Sequence, residues 1–183
     1  MEQLPEVILI CGFSGAGKTA TGKALAEKIN YPFTDTDSVV EDTVGKPITD
    51  IFLQQGEAKF RFAESDVIRM AVKKKPQVIA LGGGSIEDEG NLTFLKSAGT
   101  LVYLKVSIDT VYERIKEGPM RPMLDIIAGS SEKQEEVIKA RIEKLLDRRQ
   151  KYYDEADVAV DTEGKTPEAV ADEIISLLNG NDA

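Results

Sequence analysis

The apolar run Val7-Ile8-Leu9-Ile10-Cys11, followed at once by Gly12-Phe13-Ser14-Gly15-Ala16-Gly17-Lys18-Thr19, constrains this chain more than any other feature. A short, wholly apolar segment closed by glycine predicts a strand over 6–11 that is buried on both faces, as in parallel sheets. Lys18 to Ile29 then reads as a helix, with Ala24, Leu25 and Ile29 on one side. Between strand and helix, glycines let the backbone wrap closely around a ligand and gather N–H groups at a helix N-terminus, where phosphate is favoured. Lys18 supplies a point charge for β- and γ-phosphates, and the Thr19 hydroxyl is a ligand for Mg²⁺. A chance match to G-x-x-x-x-G-K-[ST] in a chain of 183 residues is on the order of one per cent. A bare glycine-rich helix cap is therefore the weaker reading, and Ser14 to Thr19 are expected to hold a nucleoside triphosphate, ATP.

Strand-like and helical patterns alternate along the rest of the chain. Tyr31-Pro32-Phe33-Thr34 reads as a second strand ending at Asp35-Thr36-Asp37, and Val39 to Lys73 as mostly helical, with breaks at Gly45-Lys46-Pro47 and near Gly56. Gln77–Leu81 is a third strand closed by Gly82-Gly83-Gly84, and Thr100–Val106 a fourth, followed by a helix over Asp109–Lys116. The stretch 118–131 has little apolar periodicity and is expected to be a mobile lid. A charged helix from Glu132 to Asp154, a strand at Val158–Val160 and a helix over Thr166–Leu178 complete the chain, with 179–183 expected to fray. Such alternation, in a chain of one-domain length, predicts a three-layer α/β/α fold with a parallel sheet, whose ligands bind beyond the carboxyl ends of the strands.

Composition narrows the chemistry. The chain has no histidine, which excludes Ser-His-Asp and Cys-His catalysis and any His-ligated metal. Its one cysteine, Cys11, cannot form an intrachain disulfide and reads as a small core residue, in keeping with a reducing cytoplasm. The formal net charge of −9, with no basic run longer than Lys73-Lys74-Lys75, argues against nucleic acid as a partner. No segment approaches the roughly 18 apolar residues of a membrane helix, and Met1 to Glu6 does not resemble a targeting peptide. The guanine signature Asn/Thr-Lys-x-Asp is absent and the chain is short for a motor ATPase, which leaves a small-molecule kinase.

The acceptor is read from the other strand ends. Of Asp35 and Asp37, one carboxylate can support the water shell of Mg²⁺ and the other can orient or deprotonate a hydroxyl. Gly82-Gly83-Gly84 exposes backbone to which a ligand can come close. Arg61, in the apolar context Phe60-Arg61-Phe62, needs a carboxylate such as Glu64 or an anionic ligand. Arg148 and Arg149 precede Tyr152-Tyr153, and Arg121 lies in the lid segment, where it could close over phosphate oxygens.

In this order and spacing the chain resembles the shikimate kinases. The resemblance runs over nearly the whole sequence: Gly12–Thr19, Asp35-Thr36-Asp37 with Glu41, Gly45, Ile48 and Ile51-Phe52, Gly56-Glu57, Phe60-Arg61 with Glu64, Gly82–Gly84, Tyr103-Leu104, Arg114, Arg121-Pro122-Met123-Leu124, and Arg148 with Tyr152. It implies a P-loop fold of the nucleoside-monophosphate-kinase type, in one domain over 1–183, with sheet order 2-3-1-4-5. It implies transfer of the ATP γ-phosphoryl group to the 3-hydroxyl of shikimate with Mg²⁺, by a cytoplasmic monomer. Lys18, Asp37 and Arg121 would be catalytic. Arg61, Arg148 and Gly82–Gly84 would hold the acceptor with Asp37, while Thr19 and, through water, Asp35 would serve the metal. Arg114 would pack on adenine, and 162–167 would line the other side of the base. Spacing to Tyr152 favours Arg148, whereas pairing with Tyr153 selects Arg149. Ala20, where the family usually has a hydroxyl residue, is expected to weaken nucleotide binding modestly. A carbohydrate kinase such as gluconate kinase, which often carries a serine at the place of Ser14, and a non-catalytic regulator are the rival readings.

Overall fold

The computed structural model describes residues 4–87, 89–116 and 132–180. Strands β1 (Val7–Gly12), β2 (Phe33–Asp35), β3 (Gln77–Ala80), β4 (Thr100–Lys105) and β5 (Val158–Asp161) form one sheet in the order β2-β3-β1-β4-β5. Every neighbouring pair is parallel, with Ile8 opposite Val78 on one side and Thr100 on the other. The helices are α1 (Lys18–Ile29), α2 (Thr36–Val44), α3 (Ile48–Gln55), α4 (Glu57–Ala71), α5 (Glu89–Ala98), α6 (Ile108–Ile115), α7 (Glu132–Tyr153) and α8 (Pro167–Leu178).

The centre of the sheet explains its all-apolar first strand. Successive side chains of a strand face opposite ways. Val7, Leu9 and Cys11 pack with Ile68, Leu95, Tyr103 and Tyr153 beneath α4, α5 and α7. Ile8 and Ile10 pack on the other face with Leu25, Val102, Ala171 and Ile174 beneath α1 and α8. Both faces are covered, so β1 has no position for a polar residue. Burial pushes the Cys11 thiol up to about 12 against a weaker lowering by Lys18, as befits an inert core thiol. Gly22 lets α1 lie against β2, since a Cβ there would stand 2.5 Å from Cε2 of Phe33.

Three local differences from the sequence reading have physical causes. Helix α2 begins at Thr36 rather than Val39, because the Asp35 side chain caps it by accepting from the N–H groups of Asp37 and Ser38. Helix α5 was not anticipated, although Leu92, Leu95 and Ala98 recur at helical spacing and pack on the core; Gly90 within its first turn is a poor helix former. At the C-terminus, Asn179 and Gly180 donate to the carbonyls of Ile175 and Leu177 and are held to α8, whereas 181–183 lie outside the described residues. The expected lid, 118–131, lies outside them as well.

Candidate active site

The loop after β1 is built on two left-handed glycines, Gly15 (φ 85°) and Gly17 (φ 90°), a conformation that side chains resist. Lys18 Nζ reaches back across this loop and donates to the carbonyls of Gly12 and Phe13, both at 3.0 Å. Arg114, on α6, closes the loop from the β4 side, its Nη1 donating to the carbonyl of Gly15 at 2.8 Å. Thr19 Oγ1 donates to Asp35 Oδ2 at 2.6 Å, while Asp35 Oδ1 caps α2. One carboxylate thus joins the end of β1 to the end of β2.

Asp37 follows in the first turn of α2, with its Oδ1 buried against the backbone of Gly82. A Cβ on Gly82 would meet Asp37 Oδ1 at 2.6 Å and Glu64 Oε1 at 2.3 Å, so only glycine admits both carboxylates. Gly82 N–H donates to Thr36 Oγ1 at 3.0 Å, which fixes the segment after β3 to the start of α2. Glu64 is fully buried; it accepts from Arg61 at 2.7 Å, and its other oxygen lies 2.6 Å from Ser85 Oγ. Burial acts to lower the pKa of the Arg61 guanidinium. The charge and hydrogen bond of Glu64, with the charges of Glu57 and Glu87, outweigh this and hold it above its ordinary value.

The two C-terminal arginines part company in space. Arg149 is buried, with its guanidinium over the Phe13 ring at 5.3 Å and its Nη1 3.9 Å from where a Gly83 Cβ would stand. Arg148 is more than half exposed and faces outward. Tyr153, stacked on Tyr103 at 4.4 Å, donates to the carbonyl of Gly83 at 3.4 Å. The helical phase of α7 therefore turns Arg149, not Arg148, toward the glycines. Arg148, favoured by its spacing to Tyr152, stands outward, and Arg149, favoured by its pairing with Tyr153, stands beside the glycines. Between α4 and the glycine stretch a cleft of about 520 Å³ opens, lined by Arg61, Phe62, Arg69, Ser85 and Glu87 among others.

Most of the expected residues thus converge at the carboxyl ends of β1, β2 and β3. Arg121 lies outside the described residues. Thr162, after β5, donates to the carbonyl of Lys105, which ties the loop expected beside the base to the end of β4. Thr36, Ser85 and Glu87 were missed. Their only signal was adjacency to the Asp-Thr-Asp and triple-glycine segments, and the structure adds the hydrogen bonds that tie them in.

A family model described as shikimate kinase matches residues 14–179. A shikimate kinase of Thermodesulfovibrio yellowstonii is 41% identical over 177 residues, which cover 94% of this chain and 97% of that protein. The structure of a shikimate kinase from Acinetobacter baumannii in complex with shikimate superposes with a TM-score of 0.88 at 31% identity, over 97% of this chain and 94% of that one. A gluconokinase from Sinorhizobium meliloti superposes with a TM-score of 0.58 at 22% identity over the whole of both chains, which marks a shared fold alone.

Proposed function

The chain belongs to the shikimate kinase family, and we propose from this that it transfers the γ-phosphoryl group of ATP to the 3-hydroxyl of shikimate, giving shikimate 3-phosphate and ADP. The observation that carries the reading is the meeting of the two halves of the site. A Cβ on Gly83 would stand 3.4 Å from the backbone nitrogen of Ser14, so the phosphate loop and the acceptor-side glycines share one border. Donor and acceptor bound on either side of it are brought together, which is most of what phosphoryl transfer asks of a protein.

In this reading Lys18 leaves the carbonyls of its own loop to neutralise the β- and γ-phosphates, and Arg114 flanks the base. Asp37 orients the attacking hydroxyl and takes its proton. Arg61 and Arg149 grip the acceptor carboxylate, with the Gly82–Gly84 backbone beneath it. Arg149 takes the place first expected of Arg148 because it is the inward one of the pair. The Thr19 hydroxyl and the Asp35 carboxylate are hard oxygen donors 2.6 Å apart, a set that suits Mg²⁺ held partly through water. The ion, when bound, neutralises charge on the phosphates. Arg121 completes the reading as a cation brought from the lid segment. The reading further takes the chain as one domain acting as a cytoplasmic monomer, in keeping with its buried thiol; among the described residues no helix is long and apolar enough to cross a membrane.

A coupled assay of ADP release with shikimate, with gluconate and with no acceptor tests this. ADP release is expected to require shikimate; release that ignores it would overturn the proposal.

A further inference from the structure

Glu87 stands where the reading above places the acceptor's carboxylate. Its Oε1 accepts from Arg149 Nε at 2.7 Å and lies 2.6 Å from Arg149 Nη2, so one carboxylate oxygen is held by a charge-assisted hydrogen bond and an ion pair. A Cβ on Gly84 would meet Arg61 Nη2 at 2.4 Å and Glu87 Oε1 at 2.9 Å, so the two side chains converge over the Gly84 backbone. Glu87 is thus bound to Arg149 and lies beside Arg61, whose own ion pairs go to Glu64 and Glu57. Its second oxygen accepts from the exposed Arg148 at 2.6 Å.

We propose that Glu87 is an internal stand-in carboxylate: it occupies the Arg149 side of the clamp, beside Arg61, in the ligand-free protein, and the acceptor's carboxylate displaces it toward Arg148. The inference rests on the assignment of Arg61 and Arg149 as the acceptor clamp. Arg149 is buried and cannot be left without a counter-charge except at a high cost, which Glu87 removes until ligand arrives. Arg148 keeps a charge partner for Glu87 after it moves. An acceptor without a carboxylate has nothing to put in its place, so the exchange selects against neutral polyols as well as setting affinity for the anionic substrate.

The test uses the full chain, with shikimate as the probe, and compares wild type with Glu87→Gln, Glu87→Asp and Arg149→Lys by calorimetric titration and steady-state kinetics. Removing the competitor in Glu87→Gln is expected to lower the shikimate Kd roughly three- to tenfold, the equilibrium equivalent of a partly buried charge pair. The shorter carboxylate of Glu87→Asp falls between, and KM moves more than kcat in both. Glu87→Gln should also melt below wild type without shikimate and gain more from its addition. A Kd that is unchanged or raised in both Glu87 variants overturns the proposal, and makes Glu87 a fixed support of Arg149. If Glu87→Gln does not fold, Glu87→Asp decides on the same criterion. Arg149→Lys separates the two levels. If it leaves the shikimate Kd unaltered, the clamp itself is misassigned. If it raises Kd while the Glu87 variants bind no better, only the displacement fails.

Discussion

Replacing Gly82 with alanine probes the packing on which the acceptor side is built. The residue does not have a left-handed φ, so alanine there adds steric contact without backbone strain. The new methyl would sit 2.3 Å from Glu64 Oε1, 2.6 Å from Asp37 Oδ1 and 3.1 Å from Ser85 Oγ. Side-chain ends can often move aside cheaply, but Glu64 is fully buried and tied at 2.7 Å to Arg61 and at 2.6 Å to Ser85. Relief therefore requires that a buried ion pair be stretched, that Asp37 be pushed off the segment, or that the glycines shift away from α2. Overpacking of this kind costs about 1–3 kcal/mol. For a chain of this size that lowers Tm by roughly 2–12 °C. The catalytic effect should be larger than the loss of stability suggests, since a displacement near 1 Å at the reacting hydroxyl can lower kcat by about a hundredfold. Thermal melting and steady-state kinetics measure both. Gly84→Ala is the control: its nearest neighbours are the ends of the long Arg61 and Glu87 side chains, neither fully buried as Glu64 is, so it should raise KM with a smaller change in Tm. If Gly82→Ala kept wild-type Tm and kcat, the close packing of Asp37 and Glu64 on this backbone would be wrong.

Two further outcomes are expected. Arg149→Lys should raise KM for shikimate by at least tenfold, because a point charge cannot replace a buried fork, while Arg148→Lys at the exposed neighbouring position should change it less than threefold; the reverse order would restore Arg148 as the clamp. Stability should also fall in alkali. Burial raises Cys11 from 9.0, and Tyr103 from 10.0, to about 12, and lifts Tyr153 as well. Folded pKa values raised in this way mean that the unfolded chain loses its protons first. The stability is then present in full below pH 9 and is lost progressively as pH rises from about 9 to 12. Each group contributes a slope of up to about 1.4 kcal/mol per pH unit. Urea midpoints at pH 8, 9 and 10 should drift downward, and a flat series would show that these groups are not buried in solution.

The phosphate loop was fully legible because it is local. A buried strand, closely spaced glycines and a Lys-Thr pair are adjacent in sequence, and their geometry follows from backbone freedom and the hydrogen-bonding of a helix start. The parallel sheet was legible for a similar reason, since a run such as Val7 to Cys11 has no polar face to offer water. Sheet order did not follow from the alternation of elements and came only with the family resemblance. The start of α2 was misjudged because a side-chain cap decides it, and α5 was missed although Leu92, Leu95 and Ala98 carry its period. Arg121 was legible as a lone arginine but lies outside the described residues.

The sequence marks Gly12–Thr19 as a phosphate-loop motif and sets carboxylates, glycines and arginines at the other strand ends. Which of them meet depends on how the elements pack in three dimensions. The rotation of one long helix, 100° per residue, separates Arg148 in solvent from Arg149 against Phe13 and Gly83, and no local pattern in Arg148-Arg149-Gln150-Lys151 settles that phase. The same packing brings Glu87 from beyond the triple glycine into the arginine pair, across 62 positions of sequence. Contacts of this kind belong to the folded chain, because they depend on how whole elements seat against the sheet.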